Sequence, residues 1–197
     1  MQRRRVRGES GFTLIEMLVA MGLMSILIAI FMAGIVQMTK SAVRVQNVNN
    51  STDEVRRAFD RMDRQLRYAS AVNAPGQTGS DWYLEFLTTA TGTATAQCTQ
   101  WRLVNSTHQL QYRTWAVASA TASTWTTVAS NVVNDPSTQP PFTLTAADTT
   151  YTKQQVALYL KVSNGQPGGA EVSASFIARN SSTASNVGPC LGTIGRP

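Results

Sequence analysis

The sequence predicts an α+β fold, a long N-terminal α-helix packed on an antiparallel β-sheet. Three observations point to it. Residues 12–36 form an almost unbroken apolar run; residues 37–72 hold no proline and keep an apolar stripe at three- and four-residue spacings; beyond Gly79 the hydrophobic period changes to two. The 197 residues suffice for one domain with its own core plus a further segment.

The apolar run reads FTLIEMLVAMGLMSILIAIFMAGIV and holds one ionisable group, Glu16. A helix rising about 1.5 Å per residue over that length crosses a hydrocarbon core of about 30 Å. Arg3, Arg4, Arg5 and Arg7 precede it and no comparable basic cluster follows closely, which puts the N terminus in the cytoplasm and the remainder beyond the membrane. A cleaved secretory signal also starts basic and continues apolar, but this run is longer than usual and no A-x-A-like site closes it. Glu16 is the anomaly, because a carboxylate in hydrocarbon costs several kcal/mol unless a cation or a proton meets it. Cutting the chain between Gly11 and Phe12 would create an α-amine close to it.

The stripe that follows is clearest at Val55, Phe59, Met62, Leu66 and Ala69. The opposite face carries Asp53 with Arg57, Asp60 with Arg64 and Asp63 with Arg67, acid-before-base pairs each worth a few tenths of a kcal/mol. Residues 46–52 are rich in poor helix formers and Ser51-x-x-Glu54 fits a capping box, so the helix is expected to bend or restart near Asn50. Pro75-Gly76 marks its stop. Short strands are then expected at 82–87, 100–104, 109–115, 125–133, 142–144, 156–162 and 172–178, with hairpin connections at 105–108 and 164–169. Short loops without intervening helices favour antiparallel pairing. One apolar helix face and one apolar sheet face bury each other.

Composition narrows the chemistry. The formal charge of +6 invites a nucleic-acid reading, but four of the seventeen cations sit in the first seven residues, and what remains is only mildly basic. One histidine, His108, and two cysteines exclude a Cys/His zinc cluster. The acids Asp81, Glu85, Asp135, Asp148 and Glu171 are scattered, without the spacing of a calcium loop or a carboxylate pair. The glycine-rich stretch at 164–169 precedes a strand and not a helix N terminus, so it reads as a turn and not a phosphate cradle. Trp82, Trp101, Trp115 and Trp125, with Arg102 and Arg113 near by in sequence, could form an aromatic surface for DNA or sugar; packing within the sheet is the preferred reading. No catalytic residue, cofactor or metal is expected, and the chain is not read as an enzyme.

Residues 11–22, GFTLIEMLVAMG, behind a short basic leader ending Glu9-Ser10-Gly11, resemble the N-terminal processing motif of type IV prepilins and type II secretion pseudopilins. The resemblance implies that a membrane-embedded prepilin peptidase removes residues 1–11 and N-methylates Phe12. It also implies that Glu16, fifth in the mature chain, sets subunit register by attracting the Phe12 amine of a neighbour. The activity so implied is assembly of a type IV pilus or secretion-type filament with other pilin or pseudopilin subunits, after a stay in membrane lipid. The Arg-Arg-Ala-Phe-Asp-Arg-Met-Asp-Arg-Gln-Leu-Arg run at 56–67, the segment 128–133 and the late strands ending Ala178-Arg179-Asn180 resemble PilW/PulJ-type minor pilins, low-abundance subunits placed at or near the filament tip.

The expected organisation is a leader at 1–11, a transmembrane and assembly helix at 12–36, an amphipathic helix at 37–74 and an extracytoplasmic β-rich head at 75–197. The protein is expected in the cytoplasmic (inner) membrane as a single-pass chain, and then in a cell-surface filament. The charged helix face reads as solvated, or else Arg56, Arg57, Arg61 or Arg64 contact adjacent subunits. In an oxidising compartment Cys98 and Cys190 are expected to form one disulfide, worth roughly 4–5 kcal/mol on the chain-entropy model, with a reactive thiol as the competing reading. Two rival functions are a DNA-capturing tip subunit, in which nucleic acid is a partner that the motif does not favour, and a simple membrane-anchored surface domain.

Overall fold

The computed structural model describes residues 11–89, 95–119, 121–135, 137–163, 170–192 and 194–196, without the side chains at 48 and 51. The basic leader before Gly11, the turn at 164–169 and the Ser51 side chain of the capping box therefore lie outside the described residues. Two compact units divide the chain, Met1–Gln46 and Asn47–Pro197.

One helix, α1 (Leu14–Leu66), continues past Asn50 without restarting there. The weak helix formers there cost at most about 0.7 kcal/mol each, too little to open a helix. Glu54 looks outward from its own backbone and accepts the Ser130 N–H at 2.9 Å. The helix also stops earlier than Pro75-Gly76 indicates. After Leu66 the chain turns, with Ala69 N–H donating to the Leu66 carbonyl at 2.9 Å, and Ala71–Val72 are drawn into pairing with Leu87 and Phe86. Two carbonyls just past the helix end find donors in a late loop: Arg67 accepts from Arg179 N–H at 3.1 Å and Tyr68 from Asn180 Nδ2 at 3.2 Å.

Within Asn47–Pro197 the described residues form two antiparallel sheets where the sequence pointed to one. The first contains β1 (Ala71–Val72), β3 (Asp81–Thr88), β4 (Gln97–Val104), β5 (Gln109–Ala116) and β6 (Thr126–Ala129) in that order, with β2 (Gly76–Thr78) paired on β3. The second contains β7 (Phe142–Thr145), β8 (Gln155–Val162) and β9 (Ala170–Ile177). The segment expected as one strand at 125–133 is divided between them. Asn131 takes a left-handed φ of 58°, β6 ends at Ala129, and Val132 bridges to Val162 of the second sheet. Asn134 then stands in for a strand: its Nδ2 donates to the Tyr159 carbonyl at 2.8 Å and its Oδ1 accepts the Lys161 N–H at 2.9 Å.

The core lies between the helix stripe and both sheets. Val55, Ala58, Met62 and Leu66 are fully buried against Leu84, Phe86, Trp101, Leu103 and Leu110 of the first sheet and Val156, Leu158 and Leu160 of the second. Phe59 meets Phe176 with ring centroids 5.9 Å apart. The second sheet keeps the expected alternation, but the first does not, because its outer face is covered too. There Leu87, Cys98 and Trp115, in register across β3, β4 and β5, pack with Cys190, Val187 and Ile194.

Candidate functional site

Three places on the chain carry candidate function: the N-terminal junction, the covered outer face of the first sheet, and a cationic groove beside β6.

At the junction, Gly11, Phe12 and Thr13 precede the helix, and Thr13 caps it. Its Oγ1 accepts the Glu16 N–H at 3.3 Å, and its carbonyl accepts from Glu16 and Met17 at 3.1 and 3.2 Å. The Gly11–Phe12 peptide bond is thus outside the helical hydrogen-bond ladder, Phe12 is 80% exposed, and a side chain added at Gly11 would meet nothing within 4 Å. Glu16 sits in the first turn, where the free N–H groups favour a negative charge. Around and beyond it the helix is apolar on every side, with Leu14, Ile15, Leu18, Met21 and Leu27 all exposed. Its few hydroxyls return to the backbone: Ser25 donates to the Gly22 carbonyl at 2.8 Å and Thr39 to the Ile35 carbonyl at 2.9 Å. Among the described residues α1 is the one helix long and apolar enough to cross a membrane.

On the outer face, Cys98 and Cys190 are joined, with Cα atoms 5.5 Å apart. One register row inward lies a feature that sequence reasoning missed. Glu85, Gln100 and Arg113 face one another across β3, β4 and β5. Glu85 is fully buried and accepts from Asn73 Nδ2 and Gln100 Nε2 at 2.9 Å each, and from Arg196 Nε and Nη2 at 2.9 and 2.7 Å. Gln100 Oε1 accepts from Arg113 Nε at 2.7 Å, and Arg113 Nη2 reaches the Ile194 and Gly195 carbonyls at 3.0 and 3.1 Å. Burial first, and then the nearby Arg102 charge, hold the Arg113 guanidinium below its ordinary value. The signal available was Glu85 itself, one carboxylate inside the apolar run Trp-Tyr-Leu-Glu-Phe-Leu; its partner, 111 residues away, had none.

Trp82, Trp101 and Trp115 belong to packing, whereas Trp125 is half-buried and met by arginines. Trp101 is in the core and donates to Gln65 Oε1 at 3.0 Å, Trp115 lies against the disulfide, and Trp125 is stacked under Arg102 and Arg113 at 3.9 and 4.4 Å. His108 occupies an exposed hairpin tip at a φ of 54°. Asp81, Asp135, Asp148 and Glu171 remain apart: Asp81 accepts the Asn105 N–H, Asp135 and Asp148 organise their own turns, and Glu171 pairs with Lys161 at 2.9 Å. Among the described residues no three His, Cys, Asp or Glu side chains gather to hold a metal.

The third place is a groove of about 280 Å³ lined by Arg57, Asp60, Arg61 and Arg64 of the helix and Thr126, Thr127 and Val128 of β6. Arg61 donates to the Tyr112 hydroxyl and lies 4.8 Å over its ring. Of the three acid-before-base pairs, Asp63 and Arg67 form the ion pair seen among the described residues.

A family model described as the prokaryotic N-terminal methylation motif matches residues 6–32. No curated protein and no solved structure matches the chain. The chain thus carries a type IV pilin-like prepilin signal, which implies a processed structural subunit, a prepilin peptidase to process it and other pilins to assemble with.

Proposed function

We propose that this protein is a minor pilin or pseudopilin of the PilW/PulJ type, held in the inner membrane with its N terminus in the cytoplasm and then drawn into a filament whose assembly it helps to start. The observation that carries the reading is the junction. The motif's Gly11–Phe12 bond lies just outside a helix that Thr13 caps, and a peptidase needs an extended, reachable amide. Cleavage there removes the arginine-rich leader and leaves Phe12 as an N-terminal amine, the residue to be methylated. Glu16 then lies four residues from that amine. In hydrocarbon each charge alone costs about 2.5–3.5 kcal/mol, so an incoming subunit that brings its Phe12 amine to a neighbour's Glu16 relieves both penalties and fixes the axial register. The head, residues 75–197 with the helix stripe across it, stays outside the membrane, where the Cys98–Cys190 bond is formed and kept.

The test is the N-terminal peptide of the protein from membrane and sheared-filament fractions of its host, read by mass spectrometry. N-methyl-Phe12 is the expected terminus in both fractions. An intact Met1, or a cut after the apolar run, would leave an anchored or secreted β-rich domain and overturn the reading.

A further inference from the structure

The groove between α1 and β6 has a charged wall on the helix and, facing it, the edge strand of the first sheet. Arg57, Arg61 and Arg64 stand at successive four- and three-residue steps along one side of the helix, with Asp60 among them. Arg61 is committed to Tyr112, whereas Arg57 and Arg64 are exposed and form no ion pair or hydrogen bond among the described residues. The facing wall is the last strand of the first sheet. β6 pairs with β5 on one side, and no described residue bonds the backbone of Thr126–Val128 on the other. Such an edge has unmet donors and acceptors in a row, a template for a further strand. Of the devices that blunt natural edges, Thr-Thr-Val lacks lysine and proline, while β6 is short and slips register against β5 at Val128, so the pairing it offers a further strand is centred on Thr126 and Thr127.

We infer that this groove takes an extended acidic segment of a partner protein, which adds to the free edge of β6 as a strand and turns its carboxylates toward Arg57 and Arg64. The two arginines are seven residues apart, about 10 Å along the helix axis. Alternate side chains of a strand recur about every 6.8 Å on one face, so acidic residues two or four positions apart reach both guanidinium groups. Backbone pairing gives the affinity, and the charges set the register and exclude basic segments. A second copy of the chain is a poor occupant, since none of its own described strands carries two acidic residues on one face outside the buried Glu85. A nucleic acid would use the arginines but leave the strand edge unmet. The inference deepens the assembly reading by naming what this surface of the subunit would grip.

The test uses the full chain in detergent and a fluorescein-labelled octapeptide of alternating valine and glutamate, followed by anisotropy. Saturable binding is expected. Reversing both free charges (R57E with R64E) should weaken it at least about tenfold, and D60N, which removes the one repelling charge, should tighten it about threefold, an improvement that misfolding cannot produce. A probe N-methylated at alternate backbone positions keeps every charge and should bind at least about tenfold more weakly. The proposal is overturned by no binding, by equal binding of the N-methylated probe or of a valine-glutamine octapeptide, or by a 20-base-pair duplex displacing the probe through the same arginines. Binding here does not depend on where the N terminus is cut, so a failure of the Gly11–Phe12 assignment and a failure of the groove register separately.

Discussion

Removing Arg196 tests whether the segment at 187–196 is held by a buried ion pair or only by the disulfide. Glu85 has no exposure, and Arg196 supplies it with two donors while a further bond runs from Arg196 Nη2 to the Ala74 carbonyl at 2.7 Å. Breaking a fully enclosed pair costs roughly 3–5 kcal/mol, because the remaining charge is stranded. Here the Arg196 side chain is 24% exposed, so water can reach the gap, and Asn73 and Gln100 still donate to the carboxylate. The expected loss for R196M is therefore about 2–3 kcal/mol. At a urea dependence of about 2 kcal/mol/M this moves the midpoint down by about 1–1.5 M. The assay is urea unfolding of the full chain in detergent by tryptophan fluorescence, since all four tryptophans lie in the Asn47–Pro197 unit. E85Q removes the charge but keeps the shape, and the double variant should lose at least about 1 kcal/mol less than the two single losses combined. A loss below about 0.5 kcal/mol for R196M, or full additivity, refutes the buried pair as the element holding that segment.

Other outcomes follow from the same geometry. Cys98→Ser opens a closure of 92 residues and should lower stability by about 4–5 kcal/mol by the same urea assay, where a loss under 1 kcal/mol would show the cross-link to be dispensable. Glu16→Ala should leave N-terminal processing intact and strongly reduce recovery in sheared filaments; undiminished recovery refutes the register role. Hydrogen bonding from Lys161 holds the Glu171 carboxyl below the usual glutamate range, and Glu171 in turn raises Lys161. The pair's contribution is therefore present at neutral pH, fading as pH falls through the lowered carboxyl value and, at the alkaline end, as pH rises through the raised amine value. In a carboxyl-resolved NMR titration Lys161→Met should move Glu171 back up toward the ordinary range, and an unchanged midpoint would count against the contact.

The parts of this molecule that were legible in the sequence are those where one physical cause acts locally. The Val55–Phe59–Met62–Leu66 stripe declared its burial by spacing alone, and β8 declared its inner face through Val156, Leu158, Leu160 and Val162. What was not legible required knowledge of a distant partner. The end of α1 at Leu66 depends on Leu87 and Phe86 capturing Ala71–Val72, an exchange of local helical bonds for long-range ladder bonds. The division of 125–133 between two sheets turns on Asn131 accepting a left-handed conformation that asparagine tolerates but does not announce. The N-terminal methylation motif could be read because its signal is packed into a few consecutive residues, whereas Glu85 needed an arginine 111 positions on to become intelligible.

The separation of Cys98 from Cys190 has a consequence in time as well as in space. A chain is made and threaded from its N terminus, so β4 emerges when the residue it must be cross-linked to is still 92 codons away. Throughout that interval Cys98 is a bare thiol on a strand whose outer side has nothing laid over it, and Glu85 beside it has no guanidinium. Two nascent chains that meet at this stage could oxidise to each other before either can oxidise to itself. In an oxidising compartment the intramolecular bond therefore competes with oxidation between chains, and slowing the oxidant should favour it.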